Sequence, residues 1–290
     1  ATKGFGGGLK SLNTICKLRH NNYDLAINMR TIVSWPASIK LSILIDLINA
    51  KKCAGRNTER RGQFFDISIV ETDNGTQYEM DYDIELVKKI GAKVYSREVV
   101  LNIKPEVQAR VKKLLKENGI EDKDKVVVIH PGGMPSRRWG TKKYIELISK
   151  LNSKGRFKFI LTGTGNEGKI INEISESCPY TINLCQKLSI FELGCLIRTG
   201  HLMVSNDTGP MHLAAVLKVP QIALFGPGDL MRYDPRNINK RAAVVYHKTY
   251  CAPCNETNCD KLECMQKVSV EEVAEKSMKA LTNKQDEKKY

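Results

Sequence analysis

The stretch Ser205-Asn206-Asp207-Thr208-Gly209-Pro210-Met211-His212 sets a carboxylate, a hydroxyl, a glycine, a proline and an imidazole within eight positions. Leu202 to Val204 before it read as a short apolar strand, and LAAVLK after it continues a helix. Asn206 and Asp207 suit the turn and the helix N-cap. Gly209 permits close backbone approach, and Pro210 fits a first helical turn. The N–H groups that open such a helix lack intrahelical acceptors and carry the positive end of its dipole. A phosphate or pyrophosphate is their natural occupant. His212, one turn in, is placed to reach the same anion. In isolation an ordinary capped turn is the better explanation of the pattern, so the neighbouring loops decide.

Three other turns carry comparable groups. KVVVIH (125–130) runs into Pro131-Gly132-Gly133 and then Met134-Pro135-Ser136-Arg137-Arg138-Trp139. Two glycines, a hydroxyl and two guanidiniums make an anion cradle, because Arg holds phosphate oxygens in bidentate fashion. The alternative is a surface loop anchored by Trp139. FKFILTG (157–163) ends in Thr162-Gly163-Thr164-Gly165-Asn166-Glu167. Glu167 there is positioned to accept from a ribose hydroxyl or an adenine-side donor, or merely to favour a helix first turn. QIALFG (221–226) leads into Pro227-Gly228-Asp229. Loops after different strands, at one sheet edge, hold the groups a nucleotide diphosphate needs.

The elements that position these turns alternate with regularity. Apolar runs at 125–130, 157–163, 181–184, 201–205, 221–226 and 242–246 read as strands with helices between them. Tyr144, Leu147, Ile148 and Leu151 follow helical spacing. Ser189 with Glu192, and Ser269 with Glu272, form capping boxes. Continuous apolar strands joined by helices predict an α/β fold with a doubly wound, Rossmann-like parallel sheet, its ligand at the carboxyl ends of the strands. The N-terminal part predicts a strand at 23–30, helices at 38–52 and 81–93, an irregular loop over 57–80, a strand at 98–103 and a helix at 105–118. That is part of a second Rossmann-like domain. The predicted division is 1–120 and 121–290.

The 290 residues carry a net charge of +14, with 41% hydrophobic and 7% aromatic content, enough for a packed core. No apolar run reaches membrane-spanning length, and the opening ATKGFGGGLKSL lacks the apolar core of a signal peptide. Lys and Arg spread over helices at 106–118, 142–154 and 272–289 read first as solvated faces, yet the excess favours an anionic partner. With no RNA-binding aromatic signature and no zinc-finger pattern, nucleic acid is not expected. Nine cysteines in no secreted framework indicate a reducing compartment. Cys16, Cys53, Cys178, Cys185 and Cys195 read as buried small hydrophobes. Cys251, Cys254, Cys259 and Cys264, spaced C-x2-C-x4-C-x4-C, suit a structural zinc or an iron–sulfur cluster; buried thiols or a local disulfide are the alternative.

The motifs HPGGMPSRRWGTKKYIELISKL, LTGTGNE, SNDTGPMHLAAVLKVPQIALFGPGD and CAPC resemble, in order, glycosyltransferase family 9. These are the ADP-heptose:lipopolysaccharide heptosyltransferases of Gram-negative bacteria. The likeness runs from about residue 125 to 283 and is most specific over 205–226; NNYDLAINMRT is similar to the later part of the family's N-terminal domain. The resemblance implies a GT-B architecture, two Rossmann-like domains facing a cleft, the N-terminal one incomplete here. It implies inverting, metal-independent transfer of heptose from ADP-heptose to the lipopolysaccharide inner core, on the cytoplasmic side with peripheral contact with the inner membrane. By motif position Asp207, Thr208, Gly209 and His212 hold the donor diphosphate. Arg137, with Arg138 adjoining, stands where the family often has Lys and offsets charge on departing ADP. Glu167 matches an acidic residue near the nucleoside, and Ser136 is a further donor-side candidate. The family's general base, an Asp in a glycine-containing turn near the N-terminus, has no match in GFGGGLKSL and is expected upstream of Ala1. Two other readings stay open: a family member using another nucleotide sugar, and a non-catalytic nucleotide-binding protein.

Overall fold

Val126 and Val128 face one way along their strand, Val127 and Ile129 the other, and both faces are buried. Such a strand belongs in the middle of a parallel sheet covered on both sides. The computed structural model describes residues 6–254 and 256–282. Residues 1–5, and the part of the basic helix expected over 272–289 that follows Thr282, lie outside them.

The chain forms two units that divide between Arg97 and Glu98. In the first, strands β1 (Leu25–Asn28), β2 (Lys52–Thr58) and β3 (Ile67–Glu71) pair in parallel in the order β1-β2-β3. Helices α1 (Gly6–His20), α2 (Trp35–Ile48) and α3 (Glu79–Lys89) accompany them. β3 falls inside the expected loop, and β2 begins at the last residue of the expected helix, crosses residues 53–56, for which no element was expected, and ends in that loop. Two features hide them. β2 carries Arg56, Asn57 and Thr58, with Arg56 fully buried against Glu71 (3.0 Å), Glu79 (2.7 Å) and Asp83. The link from β2 to β3 is also too short for a crossover helix. It doubles back with Phe65 packed on Gly55, where any Cβ would lie 2.3 Å from the ring.

The second unit contains α4 (Pro105–Glu117), β4 (Lys125–His130), α5 (Thr141–Asn152), β5 (Phe157–Leu161), α6 (Gly168–Ser177), β6 (Thr181–Asn183), α7 (Ile190–Thr199), β7 (Leu202–Asn206), α8 (Gly209–Val216), β8 (Gln221–Phe225), α9 (Leu230–Tyr233), β9 (Ala242–Tyr246), α10 (Glu263–Gln266) and α11 (Val270–Thr282). Its division from the first unit comes earlier than the expected residue 120. Segment 98–103 is not a strand, and Ile103 and, from α4, Val111 pack with Cys195, Leu196 and Ile197 of α7. The six strands run parallel in the order β6-β5-β4-β7-β8-β9. α5, α6 and α11 bury their apolar stripes on one face, α4, α7 and α8 on the other. The winding reverses between β4 and β7, and in such sheets the crevice beyond the strand ends at that reversal binds ligands. This is the Rossmann-like order.

Candidate functional site

β4 and β7 are neighbours, with His130 opposite Ser205, so the loops that leave them diverge from one point. Asp207 follows β7 directly and is 2% exposed. Arg137, in the short helical turn Pro135–Arg137, brings Nη1 to 2.8 Å from Asp207 Oδ2. The contact is an ion pair without hydrogen-bond alignment: Asp207 Oδ2 and Arg137 Nε have no hydrogen-bond partner among the described residues. Burial pushes the Asp207 carboxyl above its ordinary value; Arg137 pulls it down, and Asp229 adds to the rise. Gly228 closes over the pair. A Cβ there would stand 2.0 Å from Asp207 Oδ2, so glycine is the residue that allows the approach.

The turn after β7 differs in detail from expectation. The N-cap of α8 is Thr208, in extended conformation, while Asn206 remains in the strand. Gly209 begins the helix, and the position its Cβ would take has nothing within 4 Å. Thr208, Gly209 and Pro210 border a cavity at this helix start. His212 is held below the ordinary imidazole value first by burial and then by Arg137, which leaves it neutral near pH 7. Its ring meets Tyr233 edge-on at 5.9 Å. A neutral imidazole beside open helix N–H groups can hydrogen-bond a phosphate without adding to the local charge.

A cavity of about 390 Å³ opens beside this helix start, with His130, Thr162, Glu167 and Thr208 on its polar side and Leu188 and Leu193 among its apolar walls. Its size and mixed lining suit a nucleoside. Glu167 borders the cavity but is occupied structurally. Its Oε1 accepts from the Gly133 N–H (2.8 Å) and its Oε2 from the Thr164 N–H (2.6 Å) and hydroxyl (3.0 Å). Burial opposes its ionisation, yet these backbone donors and the nearby His130 leave the carboxyl below its ordinary value. Glu167 thus joins the loop after β4 to the loop after β5.

Two other expected donor contacts point elsewhere. Arg138 donates from Nε to the Gly133 carbonyl at 2.8 Å and closes its own loop. Ser136 is fully buried; its hydroxyl donates to the Glu256 carbonyl and its N–H to that of Thr257 at 3.2 Å. Ser136 therefore fastens the cysteine-bearing segment to the turn that carries Arg137, rather than facing a ligand. Trp139 Nε1 donates to the Val268 carbonyl (2.9 Å), and Lys143 Nζ to those of Met265 (3.2 Å), Gln266 (2.8 Å) and Val268 (2.7 Å). Neither sequence spacing nor residue type signals these long-range anchors.

The cysteines remain free thiols. Among the described residues no three His, Cys, Asp or Glu side chains are arranged to hold a metal ion, so Cys251, Cys254, Cys259 and Cys264 are not gathered into the expected ligand set. Cys264 turns inward near Gly226, while the other three stay exposed. Of the cysteines expected to be buried, Cys53, Cys178 and Cys195 are; Cys16 is exposed and Cys185 half-buried. Among the described residues no helix is long and apolar enough to cross a membrane.

Comparison with known proteins follows the same geometry. The model of glycosyltransferase family 9 (heptosyltransferase) matches residues 12–265. The chain is 31% identical over 168 residues to lipooligosaccharide heptosyltransferase 2 of Campylobacter jejuni, covering 55% of this chain and 52% of that protein. It therefore spans about half the length of that relative. A family 9 glycosyltransferase from Veillonella parvula superposes with a TM-score of 0.74 at 19% identity, over 97% of this chain and 80% of that one. The E. coli heptosyltransferase WaaC solved with ADP superposes with a TM-score of 0.64 at 18% identity, over 96% of this chain and 79% of the other. At these identities the superpositions speak for the fold.

Proposed function

Because the chain belongs to glycosyltransferase family 9, the heptosyltransferase family, we propose that it transfers heptose from ADP-heptose to the inner core of lipopolysaccharide, with inversion at the anomeric carbon. The observation that carries the proposal is the meeting of Arg137, Asp207 and the α8 helix start at the point where the sheet winding reverses. The adenosine occupies the cavity beside Glu167 and Leu193, and the diphosphate lies across the N–H groups of Thr208 and Gly209. Acceptor oxygen bonds to C1 of the heptose as the bond from C1 to the ADP oxygen breaks, and the acceptor proton passes to a general base. Negative charge grows on the departing diphosphate. The Arg137 guanidinium and the α8 dipole are aimed where that charge develops, and preorganised groups of this kind supply a large share of catalysis. Asp207 fixes Arg137 in place, so its role is to hold the cation rather than to touch the sugar.

The net charge of +14 suits an anionic saccharide carried on lipid and peripheral contact with the cytoplasmic face of the inner membrane. The test is calorimetric titration with ADP, UDP and GDP, followed by mass spectrometry of a heptose-deficient core acceptor incubated with ADP-heptose. ADP is expected to bind selectively, and Arg137→Ala to abolish transfer. Equal binding of the three nucleotides would remove ADP-heptose as the donor, and ADP binding without transfer would favour a nucleotide-binding protein.

A further inference from the structure

Asn206 is completely buried, and its side chain uses every hydrogen-bonding position it has. Nδ2 donates to the carbonyls of Pro131 (2.9 Å) and Gly132 (2.8 Å). Oδ1 accepts from the Trp139 N–H (3.3 Å) and from the Tyr144 hydroxyl (3.0 Å). The first two partners begin the loop between β4 and α5; Trp139 ends it. The next residue, Asp207, grips Arg137 between them. Two consecutive residues at the end of one strand thus hold the start, the middle and the end of the neighbouring strand's loop.

We infer that Asn206 is a positioning residue that sets the 131–139 loop, and through it the place of the Arg137 guanidinium. The chemistry selects asparagine. The site needs two donors for carbonyls and two acceptor lone pairs, with no charge, immediately beside a buried carboxylate. Aspartate offers no donor when ionised and would add a second buried negative charge. Serine offers one donor and is too short to reach both ends of the loop. A buried network of this sort rigidifies when all its members are satisfied, and loses that property when one is removed.

The test is hydrogen–deuterium exchange on the full chain, comparing the unmutated protein with Asn206→Ser. Peptides spanning 131–139 are expected to exchange at least tenfold faster, with β4, β7 and β8 still protected. If Asn206→Ser fails to fold, Tyr144→Phe removes one partner and is expected to produce a smaller rise in the same peptides. Unchanged exchange in the loop, or a rise shared equally by the strands, overturns the inference. A second arm rests on the proposed donor site. Asn206→Ser is expected to weaken ADP about tenfold in the unmutated background but less than threefold in Arg137→Ala, because residues that act through one another are not additive. Additive losses would overturn it. Absence of ADP binding by the unmutated protein would instead sink the proposed function, and the exchange experiment would still decide the role of Asn206.

Discussion

Replacing Arg137 by Met leaves Asp207 buried with no counter-ion among the described residues. At 2.8 Å the Coulomb attraction of the pair is about 6 kcal/mol for an effective dielectric of about 20. Desolvation of both groups offsets part of this, and removing one partner of a buried pair costs about 3–5 kcal/mol. The missing hydrogen-bond alignment places the cost near the lower end, about 3 kcal/mol. The cost must depend on pH. Burial and Asp229 already raise the folded-state carboxyl, and Arg137 is the group that lowers it. Because the folded state holds this proton more tightly than the unfolded chain, the carboxyl favours folding below the ordinary Asp value of about 4 and loses that contribution as pH climbs through the folded value. Without Arg137 the folded value moves further up and the window widens. Urea unfolding followed by Trp139 fluorescence in a Trp35→Phe background reports the second unit alone. The deficit of Arg137→Met is expected to be about 3 kcal/mol at pH 7.5 and to shrink by more than 1 kcal/mol by pH 5, since each pKa unit is worth about 1.4 kcal/mol. Adding Asp207→Asn should recover most of the loss and flatten the profile. A deficit below about 1 kcal/mol that ignores pH would refute the reasoning, because a buried, uncompensated carboxylate cannot behave so.

Three further outcomes are expected. Gly228→Ala forces a Cβ to 2.0 Å from Asp207 Oδ2, so it should destabilise by about 1–3 kcal/mol and weaken ADP at least tenfold by calorimetry. Glu167→Gln turns an amide donor toward backbone N–H groups and should cost about 1–3 kcal/mol in urea unfolding. Because the Glu167 carboxyl is held low, its contribution is present above the ordinary Glu value and fades as pH falls through the folded value, so the variant should show a shallower acid limb. In a thiol-reagent titration Cys16, Cys251, Cys254 and Cys259 should react in the folded protein, and Cys53, Cys178, Cys195 and Cys264 only on unfolding.

The second unit was legible because its strands are continuous apolar runs, and runs such as 125–130 and 221–226 fall within a residue of β4 and β8. The convergence of Arg137 with Asp207 followed from parallel topology, which sends loops from adjacent strands to one edge. What the loops do with Ser136, Arg138 and Glu167 was not legible. Most of their partners are backbone groups, some more than a hundred residues away, and a carbonyl leaves no trace in residue type. Asn206 illustrates the same limit: its composition suggested a cap, and its burial makes it a hub. In the first unit, the polar end of β2 sets Arg56 against the acids of β3 and α3, a tertiary solution that overrides strand propensity.

The anchoring of the loop after β4 to carbonyls at 256–268 has a consequence for synthesis. Translation adds roughly 5–20 residues per second, and the strands near β4 are made well before that segment. The nascent chain can assemble β4, β5 and β7, yet the side chains of Ser136, Trp139 and Lys143 lack these acceptors until residues 256–268 have been made. Until then the loop after β4 is held by Asn206 and Asp207, and the carbonyls at 256–268 add the last set of anchors.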